Sequence, residues 1–388
     1  MKYLTILFLT LVLSFTSCKK EEPLTEPEFE LLSKRISGTS DASFQLGLQS
    51  VYSVFMMDVI QKPNGDYLLL GTFSSRIREV NNVMFVANFQ SNGELDWTRK
   101  LNTTHTYSSS RFGSLNLGRI NIIAKSYTDI TSQGYMPKPA LLKLDEEGSV
   151  LIEKVYGLRN VNHDVGELNS SDEKLLLVGG DYKGANDLMS IIDVNSGQSD
   201  LQKTFTGLIF SATYLDNSDI LVAVINYQSN QNAVWELQKV NSNGDSLWSI
   251  SNSLNNTGNC RSILATEAGG FFAAFDPSSN TGQFRITKYD SNGIPLWNHN
   301  SNTTIPQYQY TAHKAGADYF YVGQTTQGIQ VNKLSEATGE LIWTKTIPLT
   351  AGAFITKISA TNDGGLVLLF SSAGSTMNFL QKLDSNGN

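Results

Sequence analysis

The side chains able to do chemistry in this chain are few and scattered. The four histidines, His105, His163, His299 and His313, share no metal-ligand spacing, and no H-E-x-x-H, G-x-S-x-G or C-x-x-C motif occurs. His163-Asp164 is the one adjacent histidine and carboxylate. Neighbours on a strand point to opposite faces, so this pair suits joint acid/base work only if the strand begins after it. D-S-N-G stretches invite a calcium reading, but they are too short for a calcium loop, and the need for a turn explains their glycine. The sequence thus predicts no catalytic residue, no metal ligand and no cofactor. What remains is a set of polar residues at the starts of apolar runs, Arg111, His163, Asp164, Arg261, Tyr308 and Tyr310, which are candidates for binding a ligand.

The elements that must position them repeat. A glycine turn recurs at Gly93, Gly148, Gly197, Gly244, Gly293, Gly339 and Gly387, about every 50 residues, the period of a radial or linear array. Stretches such as Ser91-Asn92-Gly93 and Ala337-Thr338-Gly339 put glycine where a short hairpin loop needs positive φ. Four residues after the glycine comes Trp97, Ile152, Leu201, Trp248, Trp297 or Trp343. A large apolar residue at one recurring position is expected to bury itself against the neighbouring unit.

Each unit holds four short runs of β-branched and aromatic residues separated by turn signals. In the fifth they are Arg261 to Thr266, Phe271 to Phe275, Phe284 to Tyr289 and Ile294 to Asn298. Four antiparallel strands per unit are the signature of a propeller blade. The expected fold is therefore all-β, a seven-bladed β-propeller of four-stranded antiparallel blades. The seventh unit shows no fourth run after its turn, whereas Phe29 to Gly38 resembles the fourth-strand stretches at 151–157 and 201–207. An N-terminal strand, taken as residues 29–38 and paired with Phe379 to Asp384, would complete the last blade and hide both edges.

Residues 1–17 read as a signal peptide: Met1-Lys2, an apolar run from Leu4 to Phe15, then Thr16-Ser17 before Cys18. Residues 18–28 read as a flexible tether and 29–388 as a single propeller domain. The small residues before Cys18 resemble a bacterial lipobox, and Cys18-Lys19-Lys20-Glu21-Glu22 is similar to the start of many Bacteroidota lipoproteins. That resemblance implies lipidation of Cys18, a membrane anchor, and an outer-membrane lipoprotein displayed at the cell surface. With Cys18 lipidated, Cys260 has no partner for a disulfide. Twenty-nine Lys and Arg against 36 Asp and Glu leave the chain acidic, which argues against a nucleic-acid partner.

The K-L-D-x-x-G turn followed by W-x-K also resembles the propeller repeats of exported Bacteroidota proteins and is similar to the tryptophan-docked repeats of PQQ-type propellers. The motif is architectural, and no cofactor ligand is carried over from it. Function is expected on the face opposite the uniform turns, where loops such as 73–82, 127–139, 181–187 and 227–232 differ from unit to unit. The six candidate residues are expected at the channel mouth on that same face. A binding or scaffold module for a glycan, peptide or protein is the first reading. A surface carbohydrate-active enzyme, with carboxylates brought together from several blades, is the alternative.

Overall fold

In the computed structural model the second strand of every blade is a near-continuous apolar run, because both of its faces are covered. Phe271–Phe275 and Leu366–Phe370 are buried throughout. Alternate side chains serve the two neighbouring sheets: Leu68 and Leu70 pack with Ile120, Ile122 and Ala124 of the next blade. The cores therefore lie between blades, and each blade needs both neighbours. The structure describes residues 31–388 except 36–43, 49–51, 76–82, 117–118, 127–129, 132–133, 136–137, 157–160, 170, 172, 182–185, 216–217, 228–232, 254–259, 267–268, 276–282, 305–310, 316–317, 326–327, 349–352 and 373–377.

Seven antiparallel sheets follow one another as a β-propeller. Their innermost strands are Tyr52–Gln61, Tyr107–Asn116, Val161–Leu168, Leu208–Tyr214, Cys260–Ala265, Thr311–Ala315 and Ala353–Ala360, for blades 1 to 7 in order. Each innermost strand touches that of the next blade, and blade 7 touches blade 1, so the ring is closed. Closure is reinforced where Asn362 N donates to Gln61 Oε1 (2.7 Å) and Asn362 Nδ2 to the Lys62 carbonyl (2.8 Å). The fifth unit has the strands expected of it, Cys260–Ala265, Phe271–Phe275, Gln283–Tyr289 and Pro295–Thr304, the last extending further than the sequence suggested.

The closing strand differs from expectation. The strand paired with Asn378–Leu383 is Phe44–Leu48, with Phe44 opposite Leu380 and Gln45 opposite Phe379. Leu31–Arg35, inside the stretch expected to close the ring, pairs instead with the outer side of Phe44–Leu48 as a fifth strand. Phe44–Leu48 alternates Phe44, Leu46 and Leu48 with Gln45 and Gly47, whereas Leu31–Arg35 does not alternate, and the alternating run, nearer in sequence to blade 1, takes the inner place.

The recurring fourth-strand residue mostly reaches the neighbouring blade, as its size demands. Trp248, Trp297 and Trp343 donate their indole N–H to turn carbonyls of the next blade, at Ser291 (3.3 Å), Glu336 (3.0 Å) and Ser385 (3.1 Å). The turn glycine is doubly required at Gly339: its φ is +73°, and a Cβ there would lie 2.4 Å from the Trp297 ring. Two residues further on, on the same strand face, a second side chain reaches the same turn. Arg99, Lys154, Lys203 and His299 approach the carbonyls of Glu147 (3.3 Å), Asn195 (2.6 Å), Gly244 (2.7 Å) and Gly339 (3.1 Å). Ile152 is the exception to the apolar rule, being 47% exposed. There Lys154 covers Gly197 instead.

Candidate functional site

Six of the seven innermost strands, all but Thr311–Ala315 of blade 6, share a local irregularity that gathers polar side chains. The pairing register slips by one residue at Met56/Asp58, His163/Val165, Ile209/Ser211, Cys260/Ser262 and Ile355/Lys357, and more widely at Ser108/Arg111. Bulges of this kind re-aim side chains and end regular pairing. The first residue past each slip stands opposite the same position of the second strand. Asp58 faces Leu70, Arg111 faces Ile123, Val165 faces Val178, Ser211 faces Ala223, Ser262 faces Ala274 and Lys357 faces Leu369. These residues form one level of the inner ring, ionisable on blades 7, 1 and 2 and hydroxyl-bearing on blades 4 and 5.

The ionisable part is continuous. Lys357 Nζ lies 3.5 Å from Asp58 Oδ1. The buried Asp58 carboxylate also accepts from Val59 N and from Phe112 N of blade 2, each at 2.8 Å. Arg111 follows, between the fields of Glu167 on blade 3 and Asp58 on blade 1. Burial pulls its guanidinium below the ordinary value, and the two carboxylates act against that shift. Burial likewise pushes the Glu167 carboxyl up, while Arg111 and the bonds from Tyr214 N (3.2 Å) and Thr213 Oγ1 (3.3 Å) pull it down. Each carboxylate thus accepts an amide of the next blade, which fastens neighbouring inner strands while keeping the buried charges satisfied.

Of the six residues proposed from sequence, Arg111 belongs to this network, from a place inside its strand rather than at its start. His163 is paired opposite Gly179, and Asp164 occupies the slip that follows it. Arg261 occupies the equivalent slip of blade 5. For these three the backbone alone is described. Tyr308 and Tyr310, like Cys18 and Lys19 to Glu22, lie outside the described residues. Asp58, Glu167 and Lys357 were not singled out from sequence. For Asp58 and Lys357 the signal is a lone charge in a largely apolar innermost strand, whereas Glu167 shares its strand with His163 and Asp164 and carries no such signal.

A second polar cluster joins blade 2 to the segment that enters it. Glu153, on the outer strand Val150–Val155, accepts from Thr104 N (2.9 Å) and from Tyr107 Oη (2.5 Å), and His105 Nδ1 lies 2.9 Å away. Burial raises the Glu153 pKa, but these bonds outweigh it and hold the carboxyl at about 2. With His105 N (3.2 Å) as a fourth group on its oxygens, Glu153 acts as a clamp rather than a proton donor. Of the variable loops, 127–139 contains a small hairpin, Ile130–Thr131 with Gly134–Tyr135. Among the described residues no group of three His, Cys, Asp or Glu is arranged to hold a metal ion.

No protein-family model matches the chain, and no curated protein matches it. Solved structures do. The β-propeller domain of the Trilobed protease from Pyrococcus furiosus, described as having an open velcro topology, superposes with a TM-score of 0.56 at 10% identity, over 87% of this chain and 97% of that one. The Dos1 propeller gives 0.53 at 11% identity, over 86% and 95%. Pyrococcus horikoshii acylaminoacyl peptidase gives 0.55 at 11% identity, over 86% of this chain and 52% of that one, so this chain spans about half of that enzyme. At such identities the likeness is one of fold, and it agrees with the seven closed blades: the chain is similar to β-propellers, an architecture compatible with a binding or scaffold module.

Proposed function

We propose that this chain is a lipid-anchored propeller of the cell envelope, held at the outer membrane through Cys18, that binds or scaffolds a glycan, peptide or protein partner on the face carrying its variable loops. The observation that carries a binding reading over a hydrolytic one is the state of the inner-ring carboxylates. A glycosidase needs two carboxyls facing each other across open space, about 5 to 10 Å apart. Here Asp58 and Glu167 accept backbone amides of adjoining blades, and Arg111 lies in the field of both. They fasten the ring instead of facing a substrate. Support for the anchor is the apolar run ending in Thr16-Ser17-Cys18 and the charged stretch Lys19 to Glu22.

Two measurements test this reading. Radiolabelled palmitate should enter the wild type and not Cys18→Ala, which should become soluble; equal labelling of both removes the anchor. Arrays of glycans and peptides, probed with the wild type and with a chain whose 127–139 loop is replaced by a short turn, should show binding that the replacement removes. Turnover of a bound glycan by the wild type would overturn the binding reading in favour of an enzyme.

A further inference from the structure

Successive blades are latched on the turn face by one repeated contact, and the latch between blades 5 and 6 departs from the repeat on both of its sides. The side chain that reaches the next blade's turn, two residues beyond the large fourth-strand residue, is a permanent cation in Arg99, Lys154, Lys203 and Lys345 and an apolar group in Ile250. In blade 5 it is His299, which can lose its charge near neutral pH. The second departure lies across the seam, on the second strand of blade 6. Tyr321 stands two residues past Tyr319, which pairs with Leu334 at the mouth of the turn. In the other blades that slot holds Leu69, Ile122, Leu177, Val222, Ala273 and Leu368. Blade 6 alone puts a hydroxyl there.

The two departures touch. His299 Nδ1 lies 3.1 Å from the Gly339 carbonyl, which can only accept, so Nδ1 carries the proton of the neutral ring. Nε2 then presents its lone pair, and Tyr321 Oη donates to it at 3.4 Å. The two rings are 5.7 Å apart. Tyr321 is buried, and burial pushes its phenol above the ordinary value, so it keeps its proton wherever histidine titrates. Among the described residues, His299 Nε2 is the one acceptor for that proton. Charged groups near the imidazole are otherwise engaged or exposed. Lys288, on the adjoining strand, bonds the Glu336 carbonyl at 3.1 Å and lies 3.5 Å from its carboxylate. Glu340, in the same turn, is exposed, and Tyr319 is buried beside Tyr321. Burial lowers the His299 pKa and the Gly339 carbonyl opposes that shift, with no carboxylate among the described residues holding the imidazolium.

We propose that the seam between blades 5 and 6 is an acid-released latch, in which neutral His299 joins the blade 6 turn to the buried Tyr321 and protonation at Nε2 breaks the second of those bonds. Protonation turns the acceptor into a second donor and leaves the Tyr321 O–H inside the seam without an acceptor, which is the costly way to lose a buried hydrogen bond. The seams held by Arg99, Lys154, Lys203 and Lys345 keep their charge over the same range, so acid loosens this seam and leaves those in place. The sign follows from the neutral ring being the folded form. Its contribution is fully present above the ordinary histidine value of 6.5 and is lost as pH falls through the lower folded value. The latch belongs to the ring itself and depends on neither the anchor nor the ligand proposed above.

The test is hydrogen exchange of the full chain, read by mass spectrometry at about pH 7.5 and about pH 5 and corrected for the intrinsic rate. Amides of 319–323 should exchange about fivefold faster at the lower pH, the equilibrium factor that one net hydrogen bond is worth. Those of 175–179, the equivalent strand at the seam latched by Lys154, should not change. Tyr321→Phe removes the proton that needs an acceptor and keeps the ring, so it should reduce the acid effect while leaving the fold intact. His299→Lys, which installs the group used at other seams, should reduce it too. In a nuclear magnetic resonance titration the His299 ring, assigned by its loss in His299→Gln, should titrate below the ordinary value and move back towards it in Tyr321→Phe. Equal acceleration of both strands overturns the proposal, as does an acid effect unchanged in Tyr321→Phe or a His299 ring that titrates at or above the ordinary value.

Discussion

Replacing Trp297 by alanine probes the contact on which successive blades depend. The indole is partly buried, donates to the Glu336 carbonyl at 3.0 Å and packs against Phe272 with centroids 5.6 Å apart. A tryptophan buries about 150 to 250 Å² when enclosed; counting about half of that at about 25 cal/mol per Å² gives about 2 to 3 kcal/mol. The hydrogen bond adds about 1 kcal/mol and the aromatic pair about 1 kcal/mol. Trp297→Ala should therefore cost about 4 to 5 kcal/mol, and Trp297→Phe, which keeps a ring but loses the donor, about 1 to 2 kcal/mol. Urea unfolding followed by circular dichroism measures both. A loss below about 1 kcal/mol for Trp297→Ala would refute the latch, because surface truncations fall in that range.

Gly339→Ala should be markedly worse than Gly65→Ala. Both glycines have positive φ, but a Cβ at Gly339 meets the Trp297 ring at 2.4 Å whereas at Gly65 its nearest neighbour is 3.7 Å away, so equal melting temperatures would contradict the packing. Glu153→Gln should lower stability at neutral pH by up to about 3 kcal/mol, since the folded carboxyl titrates at about 2 against an ordinary 4.5. That contribution is fully present above the unfolded pKa and lost as pH falls from about 4.5 towards 2; a variant with the wild-type acid limb would show that the clamp is absent. Arg111→Met should destabilise the ring by about 3 to 5 kcal/mol by leaving buried carboxylates uncompensated, and adding Glu167→Gln should restore part of the loss. Lack of any recovery in the double variant would mean that the two side chains are not coupled.

The repeat was legible because a turn glycine and the large residue four positions later are both fixed by local backbone and by the adjoining blade. Phe271–Phe275 shows this, its strand bounds matching the apolar run in the sequence. The closing strand was not, since Phe29 to Gly38 and Phe44 to Leu48 are both short runs containing apolar residues, and which one lies inside is decided by long-range pairing with Asn378–Leu383. The inner-ring network was legible only at Arg111. Asp58, Glu167 and Lys357 belong to three other units, and nothing local says that bulges in separate strands bring them to neighbouring levels of one ring.

Closure of the ring by Phe44–Leu48 is the claim on which the architecture rests, and one crosslink tests it. Gln45 and Phe379 are directly opposed, which sets their Cα atoms about 4.5 to 5.5 Å apart, within disulfide reach. In a background of Cys18→Ala and Cys260→Ala, the pair Gln45→Cys and Phe379→Cys should crosslink on oxidation within a monomer and raise the urea midpoint. If that pair stays reduced while Lys34→Cys with Phe379→Cys crosslinks, the closing strand is Leu31–Arg35 and the register described here is wrong.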